Sequence, residues 1–373
     1  MFMFAFIQSL INSEYYLPII YIAFFICSIL FSVLINSLLL KFANTLGIRN
    51  GEENAIRWAS QSKPAIGGIS FYIIFLLSII SYSFIFEKSQ FFLNAQFLGI
   101  LLSSTLGFLM GLFDDAYNTK PFLKFFTQLT CGFILIFTGT YIHFFNQVYL
   151  DYILTLIWVV GIMNSINMLD NMDAISTSIS ASIIICVLLN IFIQNDIGNP
   201  HILILIGLLA TLIGFLKFNW HPAKMYMGNT GSQFLGIFLA AMGIVYFWNI
   251  NNDNNESYFF SKQIISVSLI FALPLIDTTT VFIKRLAKRT SPFIGGKDHT
   301  THHLSYLGLN DKQVALVFIT ISIISAILNV IVLQFINEWS ILYFLFFGTY
   351  LVILFLTLFL IAIKSRKKEN KNV

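Results

Sequence analysis

Long apolar runs separated by short polar segments make up most of this chain. Eleven runs, centred near residues 28, 76, 104, 133, 159, 184, 209, 240, 273, 325 and 351, are candidate membrane spans. Several reach the ~20 apolar residues that a helix needs to cross a bilayer. Only helices or closed barrels satisfy their backbone groups in lipid, and runs of this length point to helices. The pattern therefore predicts an all-α, polytopic integral membrane protein with about eleven transmembrane helices. Ten is the alternative count; of the boundaries, that of the fifth run, ending in "WVVGIMNSINML", is the least sharply marked. No internal repeat or low-complexity segment divides residues 1–373, so a single membrane domain with a basic tail at 364–373 is expected.

Composition agrees: of 373 residues, 57% are hydrophobic and 10% charged, against roughly 25% charged in soluble domains. The basic residues then orient the chain. With the N-terminus outside and the C-terminus cytoplasmic, every Lys and Arg except Lys88 and Lys262 falls on the inner side, as the positive-inside rule requires. The net charge of +4 is thus a topology signal and not a nucleic-acid footprint. The tail "KSRKKENKNV" is expected to anchor the last helix at anionic headgroups. Cys27, Cys131 and Cys186 lie in apolar spans and read as small hydrophobes. The N-terminus lacks a basic n-region, so the first span itself is expected to direct insertion.

Ionisable and amide residues beside spans are costly, so each asks for a reason. Here they gather at inner helix ends. Asp114 and Asp115 end the third span, followed by Lys124 and Gln128. Two adjacent carboxylates repel unless a cation or proton lies between them, which suggests Mg²⁺ or phosphate handling; an acidic cap in a solvated loop is the alternative. Asn164, Asn167, Asp170 and Asp173 recur every third residue, on one drifting face if the helix continues. Interhelical hydrogen bonding explains one or two such residues better than four. "KMYMGNTGSQFLG" offers Gly228 and Gly231 for close backbone approach, and Thr230, Ser232 and a helix start as anion donors. Asp277 precedes Arg285 on roughly the same face, as in an ion pair or an interhelical contact. His299, His302 and His303 could converge if their loop is helical, to hold phosphate together with Lys297 or, with less support from the spacing, zinc.

In this order, "PAIGGI", "GLFDD", "NSINMLDNMDAI", "NWHPAKMYMGNTGSQFLG" and "DTTTVFIKR…DHTTHHL" resemble the polyprenyl-phosphate N-acetylhexosamine-1-phosphate transferases. The resemblance covers about residues 63–308, and is nearer to the bacterial undecaprenyl-phosphate GlcNAc-1-phosphate branch than to the phospho-MurNAc-pentapeptide branch, whose three consecutive histidines are absent. It implies a Mg²⁺-dependent enzyme (Mn²⁺ as substitute) of the bacterial inner membrane, active on its cytoplasmic face. A sugar 1-phosphate would pass from a UDP-N-acetylhexosamine to a polyprenyl phosphate lipid, with release of UMP and initiation of cell-wall or surface polysaccharide; a homodimer is compatible. By the same resemblance Asp114 and Asp115 are catalytic and Asn167, Asn229 and Asp115 are metal ligands. Asp170, Asp173 and Tyr226 would bind the nucleotide, and Lys124, His302 and His303 the diphosphate.

The chain also departs from the family pattern. "DGxDG" reads "DNMDA", with Asn171 and Ala174 for the glycines; "HxHH" reads "TTHH"; and the metal-binding Asp of "MGDTGS" is Asn229. The last change motivates an alternative, a catalytically impaired homologue that binds nucleotide or lipid. A transporter is the other alternative, though embedded transporter acids usually lie near the midplane.

Overall fold

The computed structural model describes residues 16–43, 63–86, 94–145, 147–250, 259–291 and 296–369. Arg49, Arg57, Lys88 and Lys371, used above for orientation, lie outside them. In chain order the helices are α1 (Tyr16–Phe42), α2 (Gly68–Ile85), α3 (Ala95–Tyr117), α4 (Pro121–Phe137), α5 (Val148–Leu169), α6 (Ile175–Ile193) and α7 (Ile202–Asn219). Then follow α8 (Gly228–Gly243), running on into a π-helical turn at Ile244–Trp248, α9 (Phe259–Ile270), α10 (Ala272–Ala287), α11 (Thr300–Tyr306), α12 (Asp311–Gln334) and α13 (Ile341–Glu369).

Among the described residues, nine of these helices are long and apolar enough to cross a membrane, and α9 with α10 make a tenth span bent by 82°. The fourth expected span, α4, is an apolar helix of 17 residues. The ninth is broken because Pro274, in the first turn of α10, has no N–H to return to Ile270 and its ring crowds that carbonyl.

The centre of the bundle is α8, whose span is 89% buried against 17% for α1 and 11% for α13. It packs against α3, α5, α2 and α6. Close approach needs missing side chains: a Cβ on Gly111 of α3 would strike the Asn229 carbonyl. The outer faces of α1 and α13 carry exposed Ile, Leu, Val and Phe, such as Leu30 and Phe346, suited to lipid contact. Cys27 belongs to this exposed face, unlike the expected buried Cys131 and Cys186, and all three thiols are free.

The up-and-down order brings the C-terminal ends of α3, α5, α7 and α10 to one end of the bundle, together with the N-terminal ends of α4, α6 and α8.

Candidate active site

A cavity of about 740 Å³ opens at that end. Its lining mixes apolar side chains, among them Phe125, Leu275 and Phe282, with Asp115, Lys124, Asn167, Asp170, Asp173, Tyr226, Asn229, Arg285 and His302. Eight of the ten sequence-predicted site residues therefore line one space, and Asp114 and His303 do not.

Asp115 projects from the last turn of α3 onto the start of α8. Its Oδ1 accepts from the Asn229 backbone N–H and the Asn229 Nδ2, both at 3.0 Å. Its Oδ2 accepts from the Thr230 backbone N–H at 2.8 Å and from the Thr230 hydroxyl at 2.7 Å. The anion at this helix N-terminus is thus a carboxylate from a neighbouring helix, where the unpaired first N–H groups and the helix dipole favour negative charge. Gly228 makes this fit at φ +74°, since a Cβ there would lie 2.6 Å from both Asp115 Oδ2 and the Ala65 carbonyl. Asn229 is used at both ends, because its Oδ1 accepts from Asn167 Nδ2 at 2.8 Å. Asn167 also donates to the Ser232 hydroxyl at 2.7 Å.

Asp114, its sequence neighbour, turns away. It accepts from the Thr119 backbone N–H at 2.9 Å and hydroxyl at 2.6 Å, and pairs with Lys124 Nζ at 2.6 Å. Adjacent residues on a helix point about 100° apart, so one faces the cavity and the other closes the α3–α4 turn.

The three-residue spacing extends along α5 only through Asn164 and Asn167, because the helix ends at Leu169. Asp170 is its C-cap, and Asp173 sits in the turn before α6. Asp173 Oδ2 accepts from the Ala223 N–H at 2.9 Å and faces His221 Nδ1 at 3.0 Å. Asp170 is half-buried, and burial, then the charges of Asp115 and Asp173, push its pKa up to about 7. The loop keeps a glycine-like bend without glycine: Ala174 has φ +65°. Asn171, at the other substituted position, accepts from the Thr301 hydroxyl at 2.7 Å and so ties the loop to α11.

Tyr226 pairs with Ala65 in an isolated parallel bridge, and Lys63 Nζ lies 5.5 Å from its ring centre. Asp277 does not meet Arg285; it repeats the role of Asp115 at α11, accepting from Thr300 N–H at 2.8 Å and hydroxyl at 2.6 Å and facing His299 Nδ1 at 2.8 Å. Arg285 instead forks onto Asp298 at 3.0 and 2.8 Å. Of the three histidines, His299 and His302 come together at the cavity, their ring centres 5.3 Å apart, and His303 does not join them. His302 lines the cavity with its pKa lowered to about 3, chiefly by burial, whereas His303 lies between Lys284 and Ser365 Oγ.

Two structural contributors lacked a signal in the sequence. Asn219 Oδ1 accepts from the Ala174 N–H at 3.2 Å and the Thr177 hydroxyl at 2.7 Å. Gln233 joins the Gln128–Asn164 amide pair at 3.1 Å. A lone amide in "FNW" or "SQF" looks like any other polar residue near a helix end.

The donor set fits a hard divalent cation in part. Among the described residues no three His, Cys, Asp or Glu side chains are grouped to hold a metal. Both Asp115 oxygens are already doubly hydrogen-bonded, and Asn229 presents N–H to one of them. The Asp170 carboxylate and the Asn167 side-chain carbonyl belong to residues that both line the cavity, and such oxygen donors suit a hard ion that draws its remaining ligands from water or phosphate.

Residues 97–247 match the family model for glycosyl transferase family 4. A probable undecaprenyl-phosphate N-acetylglucosaminyl 1-phosphate transferase of Bacillus subtilis (strain 168) is 26% identical over 333 residues, 86% of this chain and 87% of that protein. An undecaprenyl-phosphate alpha-N-acetylglucosaminyl 1-phosphate transferase of Thermotoga maritima is 27% identical over 274 residues, 71% and 76% of the two chains. A phospho-N-acetylmuramoyl-pentapeptide-transferase of Staphylococcus saprophyticus is 28% identical over 339 residues, 83% and 96% of the two. With the ordered motifs, these matches support the polyprenyl-phosphate N-acetylhexosamine-1-phosphate transferase family, within glycosyl transferase family 4, for this chain.

Proposed function

We propose that this protein transfers an N-acetylhexosamine 1-phosphate, GlcNAc 1-phosphate foremost, from a UDP-sugar to undecaprenyl or another polyprenyl phosphate, releasing UMP and starting cell-wall or surface polysaccharide. The observation that carries the reading is the cavity itself: segments scattered from Ala65 to His302 line one space that combines apolar side chains with carboxylate, amide and cationic groups. Such a space suits a reaction joining a lipid phosphate to a water-soluble nucleotide.

In the proposed reaction an oxygen of the lipid phosphate attacks the phosphorus bearing the sugar. A new P–O–P bond forms as the bond to UMP breaks. Phosphoryl transfer asks for positioning and charge stabilisation more than covalent help. Lys124 and Arg285 supply fixed positive charge along the wall, held in place by Asp114 and Asp298. Asp173 and Tyr226, which line the same cavity, would bind the nucleotide, Tyr226 by offering its ring for stacking. Mg²⁺, or Mn²⁺ in its place, would be held by Asp170 and the Asn167 carbonyl and would neutralise diphosphate charge.

Lys120, Lys217, Lys224, Lys288 and Lys312 flank helix ends on the cavity side, whereas Lys262 begins α9 at the other. This distribution supports a plasma-membrane protein with the N-terminus outside and the cavity on the cytoplasmic face. A homodimer would use the apolar outer faces.

The test is UMP release by the purified protein with Mg²⁺, UDP-GlcNAc and polyprenyl phosphate, beside Asp115→Asn and Asn229→Asp. Turnover is expected for the native chain and its loss in Asp115→Asn. A second reading, an impaired homologue that only binds its ligands, is favoured by the saturated Asp115 carboxylate. It wins if the native chain is inert under saturating Mg²⁺ and Asn229→Asp alone turns over.

A further inference from the structure

An ionised carboxylate has about four acceptor positions, and Asp115 has all four filled: two by Asn229 and two by Thr230. Three of these donors would serve whatever residue stood at 229, since two are backbone N–H groups and one is the Thr230 hydroxyl. The fourth, the Asn229 amide, depends on the side chain at that position.

Its Nδ2 lies 3.0 Å from Asp115 Oδ1, and its Oδ1 is fixed by Asn167 at 2.8 Å. A carboxylate in the same place would bring a second anionic oxygen against Asp115. Two carboxylates at that separation do not both stay ionised without a proton or cation between them. The amide fills the gap with an N–H and no net charge.

We propose that the Asn229 amide stands in for a divalent cation beside Asp115. The protein without substrate then has no tight divalent-cation site. The cation enters with the diphosphate of the sugar nucleotide, on Asp170 and the Asn167 carbonyl, and Asn229→Asp alone creates a tight site. This deepens the transferase reading and rests on it for the use of the ion.

The experiment titrates Mn²⁺ into the purified full-length protein without nucleotide or lipid, following free Mn²⁺ by electron paramagnetic resonance and unfolding temperature with Mn²⁺ or EDTA. The native protein is expected to bind Mn²⁺ more weakly than about 0.1 mM, in the range of poorly charged sites. Asn229→Asp is expected to bind about tenfold tighter or more, to unfold earlier than native in EDTA, and to recover with Mn²⁺. Asn229→Ala, which frees one acceptor position without adding charge, should also exceed the native affinity and serves if the carboxylate variant does not accumulate. Native binding tighter than about 0.1 mM, or no gain in the variants, overturns the proposal. Since no substrate is present, a transferase that binds Mn²⁺ tightly refutes only this inference, and an inert protein with weak Mn²⁺ binding refutes only the function.

Discussion

Replacing Asp115 with Asn tests whether this carboxylate holds the start of α8 apart from any catalytic part it plays. One oxygen remains, able to keep two of the four donors, while the new amide N–H₂ faces the other two. If the amide nitrogen faces Thr230, the lost partners are a backbone N–H at 2.8 Å and a hydroxyl at 2.7 Å, on a residue 1% exposed. Hydrogen bonds to charged groups contribute about 1.5–3 kcal/mol each, and a buried donor left unmatched costs a similar amount. Part of that returns as the loop relaxes, so a loss of about 2–4 kcal/mol is expected. Asn229→Ala removes one donor to Asp115 and one acceptor for Asn167, for about 1–2 kcal/mol. The assay is unfolding in detergent without substrates, for both single variants and the double variant. Sharing a bond, the two should couple by about 1 kcal/mol. An Asp115→Asn protein within about 0.5 kcal/mol of native would refute the cap and with it the account of why α8 begins at Gly228.

Ala174→Gly should stabilise the protein by about 0.5–1 kcal/mol, because alanine pays about 1–2 kcal/mol in the left-handed region while glycine pays only its extra chain entropy; φ is +65° here, and an unchanged or lower unfolding temperature would count against it. At the far end of the bundle, His201 stacks on Phe97 and bonds Tyr246, and burial lowers its pKa from 6.5 to about 4. The unfolded chain therefore takes up a proton before the folded one: the stabilisation is whole above pH 6.5 and is lost as pH falls toward about 4. The loss is of order 1–3 kcal/mol, and His201→Gln should flatten that part of the stability–pH curve.

Much of the site could be read from the chain because its residues sit at polar interruptions of apolar runs, where lipid leaves few other reasons for an acid. Asp115, Asn167, Asp170, Asp173, Asn229 and His302 sit at such interruptions, and they line one cavity. Asp114 is indistinguishable from Asp115 in the sequence, and His303 from His302, since neighbours look alike until a helix phase is set. The three-residue spacing runs on to Asp173 past a helix end that carries neither glycine nor proline.

The polytopic helical character, the order of the helices and the end of the bundle where chemistry gathers follow from local patterns of apolar length and charge, because lipid acts on each segment separately. Which oxygens are already occupied does not. Asp115 meets its donors 114 and 115 residues away, and Asp277 finds His299 and Thr300 across a loop. Packing of α3 against α8, which Gly111 and Gly228 permit, turns "MGNTGS" from a loop free to bind phosphate into a helix start already holding a carboxylate. The reason is physical: an unpaired N–H group in the bundle takes the nearest anion that the tertiary fold provides.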